Sequence, residues 1–357
     1  MRTTLNRSAI ILPPLALGVL VAVWGRSLPI PVEAVVVALL AGSVLAAVHH
    51  AEIVAHRVGE PFGSLILAVA VTVIEVGLIL TLMLSGGAGT ATLARDTVFA
   101  AVMITCNGIA GLSLLVTVLR TRVAVFNAEG TGAALAAVIT LATLSMVLPT
   151  FTISAPTPQF TGPQLAFAAV ASLTLYTLFV IVQNVRHRES FMPVDGQAEE
   201  HAESPSGRQA FASLLLLLAA LTSVVGLAKV ESGTIEAGVS QVGLPHSFVG
   251  VVIAVLILLP ETLAAVRNAR RDQVQISLNL AFGSAIASIG LTIPAIAVAS
   301  IWLEGPLHLG LGPTQIVLLT LTAGVGILTV MPGRATLLQA AVHLSICAAF
   351  LFLAASP

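Results

Sequence analysis

Apolar residues come in eleven runs of about twenty, divided by short polar breaks, and this rhythm governs the chain. The runs fall roughly at 9–25, 30–48, 63–85, 97–119, 131–151, 162–183, 209–228, 246–266, 274–302, 313–331 and 335–355. About twenty apolar residues suffice for a helix to cross the hydrocarbon core. A membrane β-barrel would instead alternate apolar and polar positions in ten-residue segments. The pattern therefore predicts an all-α integral membrane protein with about eleven transmembrane helices. The first run follows a basic start, as a signal peptide would, but no small-x-small cleavage site ends it, and it is read as the first membrane helix.

Composition excludes the soluble classes. Of 357 residues, 57% are hydrophobic and 9% charged, against about a quarter charged in an ordinary globular domain. The basic residues form no stripe that could follow a nucleic acid. Their distribution does orient the chain. With eleven spans, twelve of the 15 Lys and Arg residues fall on the side of the N-terminus; only Arg26, Arg95 and Lys229 fall on the other. The positive-inside rule then places the N-terminus in the cytoplasm and the C-terminus outside. Cys106 and Cys347 both lie inside apolar runs, without metal-ligand spacing, and are read as buried thiols.

Two runs contain a single charge each. Glu75 is the lone charge in GSLILAVAVTVIEVGLILTLMLS, and Glu261 the lone charge in FVGVVIAVLILLPETLAA. A carboxylate at that depth costs roughly 3 kcal/mol on insertion scales. They lie on the third and eighth spans, which run in opposite directions, and each falls about 18–20 Å into the bilayer at 1.5 Å per residue. The spans that follow also correspond. MITCNGIAGLSLL (103–115) and SLNLAFGSAIASIGLTIP (277–294) are rich in Gly, Ser, Thr and Asn where lipid-facing helices carry Leu and Val. The chain thus divides into an extra helix (1–26), a first five-helix repeat (27–183), a cytoplasmic acidic and histidine-bearing linker (184–208), and a second repeat (209–357). This 1 + 5 + 5 inverted-topology plan is one that secondary transporters use, with the site at the repeat interface.

Two carboxylates supply the charge for a divalent cation such as Ca²⁺, which takes six to eight oxygen ligands. Asn107, Ser284, Ser288 and Thr72 offer further oxygens, as do backbone carbonyls beside Gly108, Gly283 and Pro260; the proline removes one helix hydrogen bond. Close helix packing also accounts for such small residues. Two carboxylates in one dry site must be neutralised by a cation or by protons. If only the neutralised states cross, the protein is an antiporter of cations against H⁺. Glu52, His56 and Glu60, spaced four apart, are read as an interfacial polar face or a cytoplasmic entrance. Glu33, near the outer end of the second span, is a vestibule carboxylate or an interface residue. No HExxH, GxSxG or midplane arginine supports an intramembrane enzyme, and a passive channel has no need of carboxylates that switch protonation. No cofactor is expected, and the partners are inorganic cations and the lipid bilayer.

The runs GEPFGSLILAVAVTVIEVGLIL (59–80) and VGVVIAVLILLPETLAAVRNARRDQVQISLNLAFGSAIASIGLTIPAIAVAS (249–300) closely resemble the two repeats of bacterial ChaA-type calcium/proton antiporters, in the cation/Ca²⁺ exchanger superfamily. The resemblance implies an exchanger-like fold in the bacterial inner membrane. It also implies a shared Ca²⁺ and proton site at Glu75 and Glu261, with Asn107–Gly108 and Gly283–Ser284 on the small-residue helices. Such members are linked to Na⁺/H⁺ and K⁺/H⁺ exchange as well, so a mainly monovalent antiporter is the alternative. Where the wider family carries an Asn-Ala pair ahead of each glutamate, this chain has Thr72-Val73 and Leu258-Leu259. One amide ligand per repeat is thereby absent.

Overall fold

The structure, a computed structural model, describes residues 2–26, 28–59, 62–85, 90–156, 158–193, 205–302 and 305–357. Eleven helices account for the eleven apolar runs: α1 (Arg2–Val23), α2 (Ile30–Val58), α3 (Phe62–Ser85), α4 (Thr90–Thr121), α5 (Ala128–Phe151), α6 (Gly162–Arg186), α7 (Gly207–Gln241), α8 (Phe248–Ala269), α9 (Val274–Ala299), α10 (Pro313–Val330) and α11 (Leu337–Ala355). Among the described residues, the ten from α2 onward are long and apolar enough to cross a membrane, and α1 has a shorter apolar portion, Arg7–Val23. The protein is a multi-pass membrane protein with the 1 + 5 + 5 arrangement.

Two helices outrun their apolar stretches. The second was expected to end near residue 48 and continues to Val58, stopping at Gly59 with φ 78°. Glycine alone takes that conformation at no steric cost. Glu52 and His56 therefore belong to α2 itself, not to a segment leading into α3. The seventh was expected to end near 228 and runs to Gln241. Its extension, LAKVESGTIEAGVSQ, carries Lys229, Glu231 and Glu236 yet stays helical, so loss of hydropathy there marks the edge of the apolar zone and not the end of the helix.

The chain packs as two compact units, each drawing on both sequence halves. One comprises 1–90 and 201–249, the other 91–200 and 250–357. In the first, α2 and α7 lie along one another, with α1 and α3 packed on both. The His50 ring joins α2 to the Ala9 carbonyl of α1 at 3.0 Å. Gly77 of α3 faces α7 so closely that a Cβ there would stand 2.5 Å from Val225; small residues allow such backbone approach in membranes.

In the second unit α9 is central, packing on α6, α5 and α4, while α11 packs on α4 and α10 on α5. α9 meets α6 at Gly290, whose added Cβ would lie 2.6 Å from Tyr176. The strands β1 (Ala124–Val125) and β2 (Arg334–Ala335) pair antiparallel, Ala124 with Ala335, and tie the turn after α4 to the turn before α11. At the other end of α4, Asp96 is buried and held by Arg95 at 2.8 Å and by the Thr92 hydroxyl at 2.8 Å, while Arg95 also donates to the Gly310 carbonyl.

Three helices of this unit contain a π-helical turn: Ile104–Ile109 in α4, Thr143–Val147 in α5 and Val182–Arg186 in α6. The turn in α5 has a local cause. Pro149 has no N–H to continue the ladder, and the reorganised turn leaves the Met146 carbonyl to accept from Leu311 N at 2.8 Å.

Residues 194–204 of the expected linker lie outside the described residues. Its beginning is exposed at residues 185–189 and docks at Ser190 and Phe191. Arg188–Phe191 forms a short 3₁₀ turn, Phe191 stacks edge-on against Phe179 at 5.9 Å, and the Asn279 amide donates to the Phe191 carbonyl at 2.6 Å.

Candidate functional site

Glu75 and Glu261 occupy the same step of their helices. Phe62 to Glu75 in α3 and Phe248 to Glu261 in α8 are both intervals of thirteen residues. At 1.5 Å per residue, each carboxylate stands about 20 Å along its helix. Both are buried, at 3% and 8% exposure. Thr72 lies one turn before Glu75 and is also buried, while Val73 between them is 43% exposed. Thr72 and Glu75 therefore share the packed face of α3, as spacing by three requires. Thr72 and Glu75, with the expected entrance residues Glu52 and His56, belong to the unit 1–90 and 201–249; the remaining expected cation-binding residues belong to the other.

In α8, Pro260 is half-buried and precedes Glu261. The Thr262 hydroxyl turns back to the Leu258 carbonyl at 2.7 Å, so one main-chain oxygen near the proline is already engaged. α8 passes α4 where Gly250 faces the Thr97 backbone. In α9, Ser288 is buried, Gly283 and Ser284 are half-buried, and Ser277 donates to the Ala265 carbonyl at 2.7 Å. Ser277 therefore fastens α9 to the end of α8.

Asn107 sits in the π turn of α4 and is fully buried. Its amide nitrogen donates to Thr322 Oγ1 of α10 at 3.0 Å, and its Oδ1 meets His343 Nδ1 of α11 at 3.1 Å. His343 Nε2 meets the Thr329 hydroxyl at 3.1 Å, and Thr322 in turn donates to the Leu318 carbonyl at 2.8 Å. Asn107 donates through nitrogen, so its oxygen accepts from His343, which fixes the proton on Nδ1 and leaves Nε2 to accept from Thr329. The network closes on itself and uses both ends of the Asn107 amide. Gly108, next in the π turn, faces Cys347 of α11.

From the sequence His343 has no visible partner and reads as a core or interface packing residue. Its partner lies 236 residues away, and no local pattern signals such a pair. Cys347 is half-buried, where sequence suggested a buried thiol; Cys106 is buried, and both are free. Glu52 and His56 are exposed near the end of α2. Glu60 lies outside the described residues. Among the described residues, no three His, Cys, Asp or Glu side chains gather to hold a metal ion.

Eleven helices in this order, one buried carboxylate thirteen residues into each of α3 and α8, and polar small-residue helices after each accord with a membrane ion antiporter of the exchanger type, the class that the family and relatives show. The sodium/calcium exchanger protein family matches residues 30–185 and 212–355, and the chain belongs to that family. The putative ionic transporter y4hA of Sinorhizobium fredii is 47% identical over 319 residues, covering 89% of this chain and 87% of its own. The sodium-potassium/proton antiporter ChaA of Escherichia coli is 32% identical over 359 residues, covering 98% and 96%. Among solved structures, native YfkE aligns with a TM-score of 0.71 at 16% identity, over 97% of this chain and 99% of its own. The H⁺/Ca²⁺ exchanger CAX aligns at 0.65 with 15% identity, over 99% and 93%. These two likenesses establish the fold. The relatives are transporters, not enzymes.

Proposed function

We propose that this protein exchanges a cation for protons by alternating access, with Glu75 and Glu261 binding the cation and the protons in turn. The observation that carries this reading is the pair of buried carboxylates, each thirteen residues into its helix; the odd step of five spans from α3 to α8 and the positive-inside count give the two helices opposite senses. An empty ionised pair at such depth is strongly disfavoured, whereas a cation-loaded or protonated pair is not. That difference is the coupling: only neutralised states relax through the membrane, and the pair titrates as a unit.

Ca²⁺ is the first cargo to consider, because two carboxylates balance its charge; YfkE and CAX bear Ca²⁺/H⁺ exchange in their descriptions. A monovalent reading, Na⁺ or K⁺ against H⁺, has its own support. The neutral oxygen shell is thin: Thr72-Val73 and Leu258-Leu259 bring no amides, and the Asn107 amide is engaged at both ends. The Escherichia coli relative is described as a sodium-potassium/proton antiporter. In either case Thr72, Ser284, Ser288 and the carbonyls around Gly108, Gly283 and Pro260 complete the site, and Glu52, His56 and Glu60 attract cations on the cytoplasmic side. The twelve-to-three distribution of basic residues supports an inner-membrane protein with its N-terminus in the cytoplasm.

The test is cation uptake into inverted vesicles under an imposed pH gradient, with Ca²⁺, Na⁺ and K⁺ in competition. Uptake that vanishes when the gradient is collapsed, and in Glu75→Gln and Glu261→Gln variants, is expected. Uptake at undiminished rates in either variant would sink the two-carboxylate site.

A further inference from the structure

The α2–α7 pair buries a second carboxylate that the exchange site does not use. Glu231 lies in the later part of α7, is 1% exposed, and neither of its oxygens has a hydrogen-bond partner. One turn further on, the Thr234 hydroxyl donates to Oε1 of Glu33, in the first turn of α2, at 3.2 Å. A hydroxyl has one proton to give, and Thr234 stands within reach of both carboxylates while donating to Glu33. Glu33 is close enough for its charge to act on Glu231.

The surrounding charges do not neutralise Glu231. Lys229 of α7 is turned to the Trp24 ring, 5.4 Å from its centroid. Glu236 of α7 pairs with His246 at 3.9 Å. At the end of α1, Arg26 is exposed, and α3 has Glu75 as its one charged residue. Among the described residues no Lys, Arg or His comes within 4.0 Å of the Glu231 carboxylate. An ionised carboxylate without donor or counter-charge is the costliest state this site could adopt. With one proton, Glu231 becomes a hydrogen-bond donor, and the Glu33 carboxylate beside it is an acceptor.

We propose that Glu33 and Glu231 form a proton-binding site, steadied by Thr234, separate from the pair Glu75 and Glu261. In the orientation proposed above, this end of α2 and α7 faces outside, where protons enter an antiporter that expels cations. The entry role rests on the exchange reading; the presence of a bound proton does not. The ligand proposed is a proton, because one proton turns the buried Glu231 carboxyl into a donor that the Glu33 carboxylate can accept.

The experiment is infrared difference spectroscopy of the full-length protein in lipid vesicles across a pH series, in a Glu75→Gln/Glu261→Gln background that removes the carboxyls of the proposed exchange site. A protonated-carboxyl C=O band is expected, lost in Glu231→Gln and shifted in frequency in Glu33→Gln and Thr234→Val. A spectrum that Glu231→Gln leaves unchanged would overturn the site. Thr234→Val keeps the packed volume, so the band can be followed even where Glu231→Gln fails to fold; an unshifted band there also counts against the site. In a chain with Glu75 and Glu261 intact, Glu231→Gln should alter the dependence of exchange on external pH. An unaltered profile with the band lost would overturn the entry role alone. A wild-type protein that moves no cation against protons would remove the exchange reading and leave the spectroscopic test standing.

Discussion

In the unit made of residues 1–90 and 201–249, the helices are long and uninterrupted: α2 spans 29 residues and α7 spans 35 without a π turn. In the unit made of 91–200 and 250–357, α4, α5 and α6 each carry one, whereas α9, α10 and α11, their counterparts in the second repeat, carry none. The inverted repeat is therefore not carried through in local backbone geometry. A π turn frees main-chain groups and re-aims a side chain, and such turns gather at functional places. In α4 it turns Asn107 to His343 and Thr322; in α5 it presents the Met146 carbonyl to Leu311. The uninterrupted helices instead bury Glu231 near Glu33 without a basic partner among the described residues. The comparison teaches that buried carboxylates occur in both units, whereas π turns and the closed Asn107–His343–Thr322 network occur, among the described residues, in the second.

The largest effect is expected from the carboxylate that each unit contributes. Glu75→Gln and Glu261→Gln should each lower proton-coupled cation flux by about 100-fold or more, a barrier increase of about 3 kcal/mol. If one substitution is silent, the functional equivalence of the two fails, whatever their matched positions. Next is His343→Leu, which leaves the Asn107 oxygen and the Thr329 hydroxyl unserved in the interior. A loss of about 1–3 kcal/mol is expected, read as a lower Tm in detergent. An unchanged Tm would show that the closed network does not stabilise its unit.

Overpacking compares the two units directly. Gly77→Val drives a side chain into Val225, and Gly290→Val drives one into Tyr176. Each should cost about 1–3 kcal/mol, visible in thermal unfolding, and a neutral result at either would disprove the close helix approach there. The smallest effect is expected at the start of α5. Asn127 caps that helix, accepting from Glu129 N at 2.9 Å and Gly130 N at 3.3 Å. Asn127→Ala should cost about 1 kcal/mol, with cation selectivity unaltered; a changed selectivity would mean that α5 reports on the ion site.

How much was legible in the sequence follows the kind of signal each feature leaves. The eleven apolar runs were legible because lipid demands contiguous apolar length, and a run of about twenty residues needs no tertiary information to be read. Glu75 and Glu261 stood out for the same reason: one charge against that background is visible at once, and its helical position is a matter of counting. The ends of α2 and α7 were not legible, since hydropathy reports where the lipid is and not where hydrogen bonding stops. The docking of Phe191 at the beginning of the linker was not legible either, since its aromatic contact and its carbonyl's partner lie on other helices.

The sequence by itself determined the class of protein, the number of helices, the inverted plan and the two carboxylates, because each is a local or periodic property of the chain. The tertiary structure alone decided that compact units cut across the sequence repeats, that Asn107 is spoken for by His343 and Thr322, and that Glu231 is buried one turn from the hydroxyl that binds Glu33. These depend on pairs 201 to 236 residues apart. A side chain's partner at that separation is chosen by packing, and nothing in the neighbouring residues records the choice.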